Sequence, residues 1–233
     1  MRMDVVTTGL CRPELLDLTY RSFFSRMQGL PDLRIIINID PLGYGDAQTC
    51  VQVARQYSDQ VIWRNPTEPS FIDAVRWCYN QVESDVVFHL EDDWFLNRAI
   101  NCNDMMRQLE EGKSDQLVLL MNRPRDVSTI KYSFRPHLAI SARVIEAVRT
   151  LPLDCTNPEK GFINHHLNLT SLDFIEGGAR LVSDMGRKWA KGNGLKKSDN
   201  SKTWFENRHN SFWGSVEYRL FLTHWRFRMW QDV

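Results

Sequence analysis

The feature that most constrains this chain is an alternation in residues 1–97. Short apolar runs rich in β-branched residues take turns with segments of helical period. The strand-like runs are "DVVTT" (Asp4–Thr8), "LRIIINID" (Leu33–Asp40), "QVIWR" (Gln60–Arg64) and "DVVFHL" (Asp85–Leu90). Pro13 suits a first helical turn, and Leu16, Tyr20, Phe23, Phe24 and Met27 keep the helical period until Gly29. A second helix is expected to run through Tyr57. A third opens on Ser70 as N-cap and puts Phe71, Val75, Cys78, Tyr79 and Val82 on one face. Strands and helices alternating at this spacing imply βαβ units, right-handed crossovers and a mainly parallel sheet. "DVVFHL" is apolar without clean alternation, as a strand covered on both faces should be. Ligands of such sheets bind beyond the carboxyl ends of the strands. Thr7-Thr8, Asp40 and Glu91-Asp92-Asp93 are therefore the candidate crevice residues.

The 233 residues suit one domain with a substantial core. A formal net charge of zero gives no global sign of a nucleic-acid or membrane-surface protein, but it hides an asymmetry. From Arg180 onward, 11 Lys/Arg accompany 5 Asp/Glu, whereas the preceding residues hold 18 basic against 24 acidic groups. Cys11, Cys50, Cys78, Cys102 and Cys155 include no Cys-x-x-Cys pair and read as small core residues in a reducing compartment. The N-terminus enters a strand-like run without an apolar h-region, so a cytoplasmic location is expected. The apolar run Leu117–Met121 is far too short to cross a bilayer, which takes about 20 residues.

After Asn97 the pattern loosens. A helix is expected up to Glu111, a strand at "QLVLLM" (Gln116–Met121), another at "FRPHLAIS", and a helix near Ala142–Arg149. Residues 192–203, "GNGLKKSDNSKT", have the composition of a mobile loop. Two motifs fail. Gly112-Lys113-Ser114 ends like a phosphate-binding loop, but Arg107 stands where its first glycine belongs. "GYGDAQ" begins like a dinucleotide fingerprint, but Gln48 replaces the last glycine, and the stretch follows the second strand.

Glu91, Asp92 and Asp93 carry the most specific chemistry. Three adjacent carboxylates at the end of a buried strand repel one another unless a cation joins them. Mg²⁺ or Mn²⁺ prefers oxygen ligands, takes one or two from protein, and often takes the rest from a substrate's phosphates. The triplet thus predicts a metal–diphosphate site, with Trp94 beside it as a candidate wall of the sugar or acceptor pocket. His89, within the strand, reads as a packed core histidine. His224 is a more distant candidate for completing the metal shell.

"VVTTGLCRPELLDLTYRSF", "IIINIDPLGYGD" and "AVRWCYNQVESDVVFHLEDDW" follow in the order seen in nucleotide-sugar-dependent glycosyltransferases of the GT-A fold, and the chain most resembles glycosyltransferase family 2. The resemblance covers residues 4–95. It is patchier at "SFRPHLAISARVIEAV", "NPEKGF" and "VSDMGRKW". It implies an α/β, Rossmann-like GT-A fold with a mainly parallel central sheet flanked by helices. One catalytic domain would fill residues 1–233, its nucleotide-binding half at 1–97 and its acceptor-binding half, with the basic mobile C-terminal region, at 98–233.

The resemblance also implies roles. Thr7, Thr8 and Arg12 would line the nucleotide pocket. Asp40 would bond the base, uracil by preference, although the usual second Asp is missing. Arg76 would lie over the nucleotide or diphosphate. Glu91-Asp92-Asp93 would be the Asp-x-Asp motif, with Glu91 departing from the usual Asp and Asp93 the foremost ligand of Mn²⁺ or Mg²⁺. Glu159 would be the general base of an inverting transfer, with Asp154 and Asp184 competing for that role. Arg187, Lys188, Lys191, Lys196 and Lys197 would offer a closing clamp. The donor would be a nucleoside-diphosphate sugar, UDP-linked by preference. The acceptor hydroxyl would belong to a saccharide or to a hydroxymethylated DNA base. Trp204, Phe205, Trp213, Tyr218, Trp225, Phe227 and Trp230, set among basic residues, suit sugar rings and nucleobases alike. The rival readings are a sugar-1-phosphate nucleotidyltransferase, a metal-dependent phosphohydrolase, and a non-enzymatic nucleic-acid-binding module using the basic C-terminal quarter.

Overall fold

A computed structural model of the chain describes residues 2–111, 114–121, 132–155, 159, 169–175, 180–193, 195–197, 205–207, 220 and 222–224. The predicted alternation is present. β1 (Arg2–Cys11), α1 (Pro13–Arg26), β2 (Met27–Gln28), β3 (Asp32–Gly43), α2 (Ala47–Arg55), β4 (Val61–Arg64), α3 (Phe71–Asn80) and β5 (Val86–His89) form the first half. β6 (Trp94–Leu96), β7 (Ile100–Asn101), α4 (Cys102–Glu110), β8 (Gln116–Leu119), β9 (His137–Ile140), α5 (Ser141–Arg149), β10 (Ser171–Phe174), β11 (Val182–Asp184), α6 (Gly186–Gly192), β12 (Leu195–Lys197) and β13 (Phe205–Asn207) follow.

Local chemistry fixes the helix starts. Pro13 opens α1. Asp46, Ser70 and Asn101 each accept a bond from a backbone N–H in the first turn of α2, α3 and α4. Gly29, at φ +70°, turns the chain after α1, where a side chain would also strike Asn103.

Seven strands make one sheet in the order β10-β8-β9-β5-β1-β3-β4. β1, β3, β4 and β5 run parallel, and β9 is antiparallel to both β5 and β8. Successive residues point to opposite faces. Val5, Ile35, Ile37 and Phe88 pack with Leu16, Tyr20 and Phe23 of α1 and Cys50 and Val51 of α2. Val6, Ile36, Val87 and Ala139 pack with Ile72, Val75 and Tyr79 of α3 and Val144 and Val148 of α5. Each fully buried apolar side chain of this kind stabilises the fold by roughly 1.5–3 kcal/mol. Both faces being covered explains why these strands read as continuous apolar runs. Four of the five cysteines are buried, as expected, and Cys155 is half-buried.

The amino ends of β1 and β3 are clamped by a buried ion pair: Arg34 Nε and Nη2 donate to Asp4 Oδ1 and Oδ2 at 2.8 and 2.9 Å. The opposite, carboxyl ends are free to build a crevice. A small antiparallel pair, β6 with β11, sets Asp184 opposite Trp94 and brings α6 to the end of β5. Among the described residues no helix is long and apolar enough to cross a membrane.

Candidate active site

The carboxyl ends of the parallel strands supply the candidate residues. After His89 the chain stays beside β1: Leu90 N–H donates to Val6 O at 2.8 Å and Asp92 N–H to Thr8 O at 3.3 Å. Thr19 on α1 donates its hydroxyl to Asp92 O at 2.8 Å. Gly9 makes room, since a Cβ there would lie 2.9 Å from Asp92 Cβ.

The repulsion within the triplet is answered by an arginine. Arg12 lies at the β1–α1 junction, only 4% exposed. Its Nε donates to Asp92 Oδ2 at 2.9 Å and its Nη2 to Asp92 Oδ1. Nη2 also reaches Asp93 Oδ2 at 3.1 Å, and Leu10 N–H adds a bond to Asp92 Oδ2 at 3.1 Å. Both Asp92 oxygens are thus engaged, which leaves this residue facing Arg12 and not a bound ion. Burial pushes the Asp92 carboxyl up, against the pull of Arg12 and with a push from Asp93. Burial alone would lower Arg12, but the charges of Asp92 and Asp93 outweigh it and hold the guanidinium above its ordinary value.

Asp93 differs from Asp92 in access: its side chain is 20% exposed, against 2%. Its carbonyl accepts Met185 N–H at 2.8 Å, at the start of α6. Gly186 leaves room for this carboxylate, because a Cβ there would fall on Asp93 Oδ2 and force it to move. Trp189, on the same short helix, lies under the guanidinium, with Arg12 Cζ 4.8 Å from its ring centre. Glu91 Oε2 accepts the Trp94 indole N–H at 2.9 Å. Trp94 itself is 5% exposed, so it braces Glu91 from the core and is not a wall of an open pocket.

The other expected residues are placed as follows. Thr7 and Thr8 are neighbours on one strand and point to opposite faces. Thr7 Oγ1 accepts from Tyr20 OH at 2.9 Å, on the α1 side. Thr8 is buried and its hydroxyl has no partner among the described residues. Asp40 is fully buried: Oδ1 accepts Asn38 Nδ2 at 2.7 Å and Oδ2 accepts Ser70 N–H at 2.9 Å. It ties β3 to the start of α3. Arg64 extends this network, donating to Asn38 Oδ1 at 2.7 Å and stacking 5.0 Å from the Trp77 ring centre. Arg76 donates to Leu151 O at 3.3 Å and joins α3 to the end of α5. Arg187 is 80% exposed and pairs with Asp184 at 3.3 Å.

Glu159 Oε1 accepts from Ser133 Oγ and Phe134 N–H, each at 3.2 Å. The Phe134 ring packs 5.5 Å from that of His89, which puts Glu159 at the same sheet end as the triplet. His89 is a core histidine, as expected, stacked 5.1 Å from His137. The side chains of Lys196 and Lys197, and those of the seven aromatic residues from Trp204 to Trp230, lie outside the described residues.

Glu91 and Asp93 flank the buried Asp92 in the turn after β5, and carboxylate oxygens are the ligand type that a hard divalent ion prefers. Among the described residues no group of three His, Cys, Asp or Glu side chains is arranged to hold an ion unaided.

No protein-family profile and no curated protein matches the sequence. Solved structures do resemble the fold. The mannosyltransferase PcManGT from Pyrobaculum calidifontis, in complex with GDP-Man and Mn²⁺, superposes with a TM-score of 0.61 at 11% identity, over 75% of this chain and 55% of that one. S. aureus TarS 1–349 in complex with UDP gives 0.57 at 15% identity, over 74% and 58%. HddC from Yersinia pseudotuberculosis gives 0.54 at 12% identity, over 78% and 93%. The chain has the GT-A fold. It spans little more than half the length of the TarS and PcManGT chains. The GT-A sheet puts Arg12, Asp40 and the carboxylate turn at one end, as the sequence implies. What sequence reasoning missed is that Arg12 belongs to Asp92, and that Gly186 and Trp189 complete the turn. The Arg12–Asp92 partners are 80 residues apart, and only a demand for a counter-charge at Asp92 could have pointed to the pair.

Proposed function

We propose that this chain is a glycosyltransferase that moves a sugar from a nucleoside-diphosphate sugar, UDP-linked, to an acceptor hydroxyl with inversion. The observation that carries the reading is the carboxylate turn at the end of β5, with Asp93 partly open, in a GT-A sheet. Glu91 and Asp93 would hold Mn²⁺ or Mg²⁺ together with the donor's diphosphate. A metal there neutralises charge developing on the leaving phosphates. Arg12 fixes the turn so that Asp93 is positioned before the donor arrives. Asp40, through Ser70 N–H, shapes the loop on the base side.

The acceptor oxygen attacks the anomeric carbon, the bond to the diphosphate oxygen breaks, and the acceptor's proton passes to a general base. Glu159 is assigned that role, because its carboxylate is anchored on Ser133 and Phe134 at the triplet's end of the sheet. The acceptor is a saccharide or a hydroxymethylated DNA base, met by the basic, aromatic C-terminal quarter.

A thermal-shift screen with UDP, GDP, CDP and ADP, each with and without Mn²⁺, tests the reading. Metal-dependent stabilisation by one nucleotide is expected. No response to any nucleotide, or pyrophosphate release from a nucleoside triphosphate and a sugar 1-phosphate, would overturn it.

A further inference from the structure

The turn at the end of β5 sets two of its three carboxylates, Asp92 and Asp93, against one buried guanidinium. Arg12 is buried. Its side chain runs between Gly43, where a Cβ would lie 3.2 Å from Arg12 Cγ, and the Trp189 ring at 4.8 Å. It makes two bonds to Asp92 and one to Asp93 Oδ2. Its remaining terminal nitrogen, Nη1, is buried without a partner among the described residues. An unpaired buried donor is costly, and in a charged group it favours an anionic acceptor.

We propose that Arg12 is the resident counter-cation of this site and makes divalent-metal binding conditional on the diphosphate. Two physical effects act together. A metal arriving alone competes with Arg12 for Asp93 Oδ2 and is repelled by its charge. A diphosphate arriving with the metal supplies negative charge that offsets the repulsion from Arg12. Metal and nucleotide therefore bind with positive coupling, and by linkage each raises the other's affinity by the same factor. The coupling rests on the transferase reading, but the counter-cation role does not.

The test uses the full chain and isothermal calorimetry with Mn²⁺ alone, with UDP or GDP alone, and with each in the presence of the other. For the wild type, Mn²⁺ affinity is expected to rise at least tenfold when the nucleotide is present. The double variant Arg12→Gln/Asp92→Asn keeps the local net charge but frees Asp93 Oδ2. It should bind Mn²⁺ alone at least fivefold more tightly than the wild type and show several-fold weaker coupling. If that pair does not fold, Arg12→Met/Asp92→Leu makes the same charge-neutral exchange with apolar groups.

An unchanged or weaker Mn²⁺ affinity in the folded double variant overturns the counter-cation role. Equal wild-type Mn²⁺ affinity with and without bound nucleotide overturns the coupling. Binding of neither UDP nor GDP overturns the coupling, while the Mn²⁺-alone comparison still decides the role of Arg12.

Discussion

Asp92 and Asp93 are adjacent in sequence and opposite in circumstance. Asp92 has both oxygens committed to a buried guanidinium, whereas Asp93 shares one oxygen and keeps some access to solvent. Their neutral variants should therefore separate. Asp92→Asn strips Arg12 of its main counter-charge and is expected to cost about 3–5 kcal/mol in urea unfolding. Asp93→Asn should cost about 1 kcal/mol, a midpoint shift of roughly 2–4 °C, while abolishing the Mn²⁺-dependent part of the nucleotide thermal shift. A retained metal effect in Asp93→Asn would move the metal site elsewhere. Gly186→Ala makes the same point from the other side, because its methyl would displace the Asp93 carboxylate. It should weaken the Mn²⁺ response and destabilise the fold by about 1–3 kcal/mol, the usual cost of overpacking. At this scale the sequence made the triplet visible but not its partners. Charge type and adjacency are written in the chain, but which carboxylate turns inward depends on a neighbour 80 residues away.

Elements were the most legible level. β1, β3, β4 and β5, with α1 and α3, fall within a few residues of their predicted bounds, because period, caps and breakers are local signals. Ser70 was legible as an N-cap from its place before a helical run, and it accepts Asp73 N–H at 3.3 Å. Ser70→Ala should cost about 1 kcal/mol. Because Ser70 N–H also holds Asp40, a fall in nucleotide affinity beyond that seen in a remote variant of equal stability would show that the cap shapes the base pocket. The short elements were not legible. β6, β11 and α6 have too few residues to show a period, and their pairing is decided by Leu96 meeting Val182 across the chain. The reversed direction of β9 is likewise absent from its sequence, since an apolar run reads the same in either direction.

The whole molecule adds a pH dependence that no single element shows. β5 and β9 bring His89 and His137 into a buried stack beneath Tyr79. His137 donates Nδ1–H to Arg135 O at 2.8 Å, which leaves the single Nε2 lone pair to the hydroxyl of Tyr79 or Tyr132, each 3.4 Å away. Burial lowers His89 well below its ordinary value, with a further push from His137, and lowers His137 to about 3. Folded histidines therefore stay neutral while unfolded ones take up protons below about pH 6.5. Stability should be intact above that pH and fall as pH drops from about 6.5 toward 3, with a slope near 1.4 kcal/mol per pH unit for each histidine. Urea midpoints at pH 7.5, 6 and 5 measure this, and His137→Gln should flatten the slope, whereas an unchanged slope would clear His137. Asp4 acts lower on the scale. Burial raises it, but Arg34 and the N–H groups of Glu83 and Ser84 outweigh burial and lower it. Its contribution is present above about pH 4 and is lost as pH falls further.

By itself the sequence determined the alternation of strands and helices, the parallel sense of the first half, and the end of the sheet where chemistry collects, because these follow from period and chain direction. Only the tertiary structure decided which charges neutralise one another, which face each threonine takes, and what closes over Asp93. Those outcomes depend on distances between residues remote in the chain, and burial makes each of them costly to satisfy in any other way.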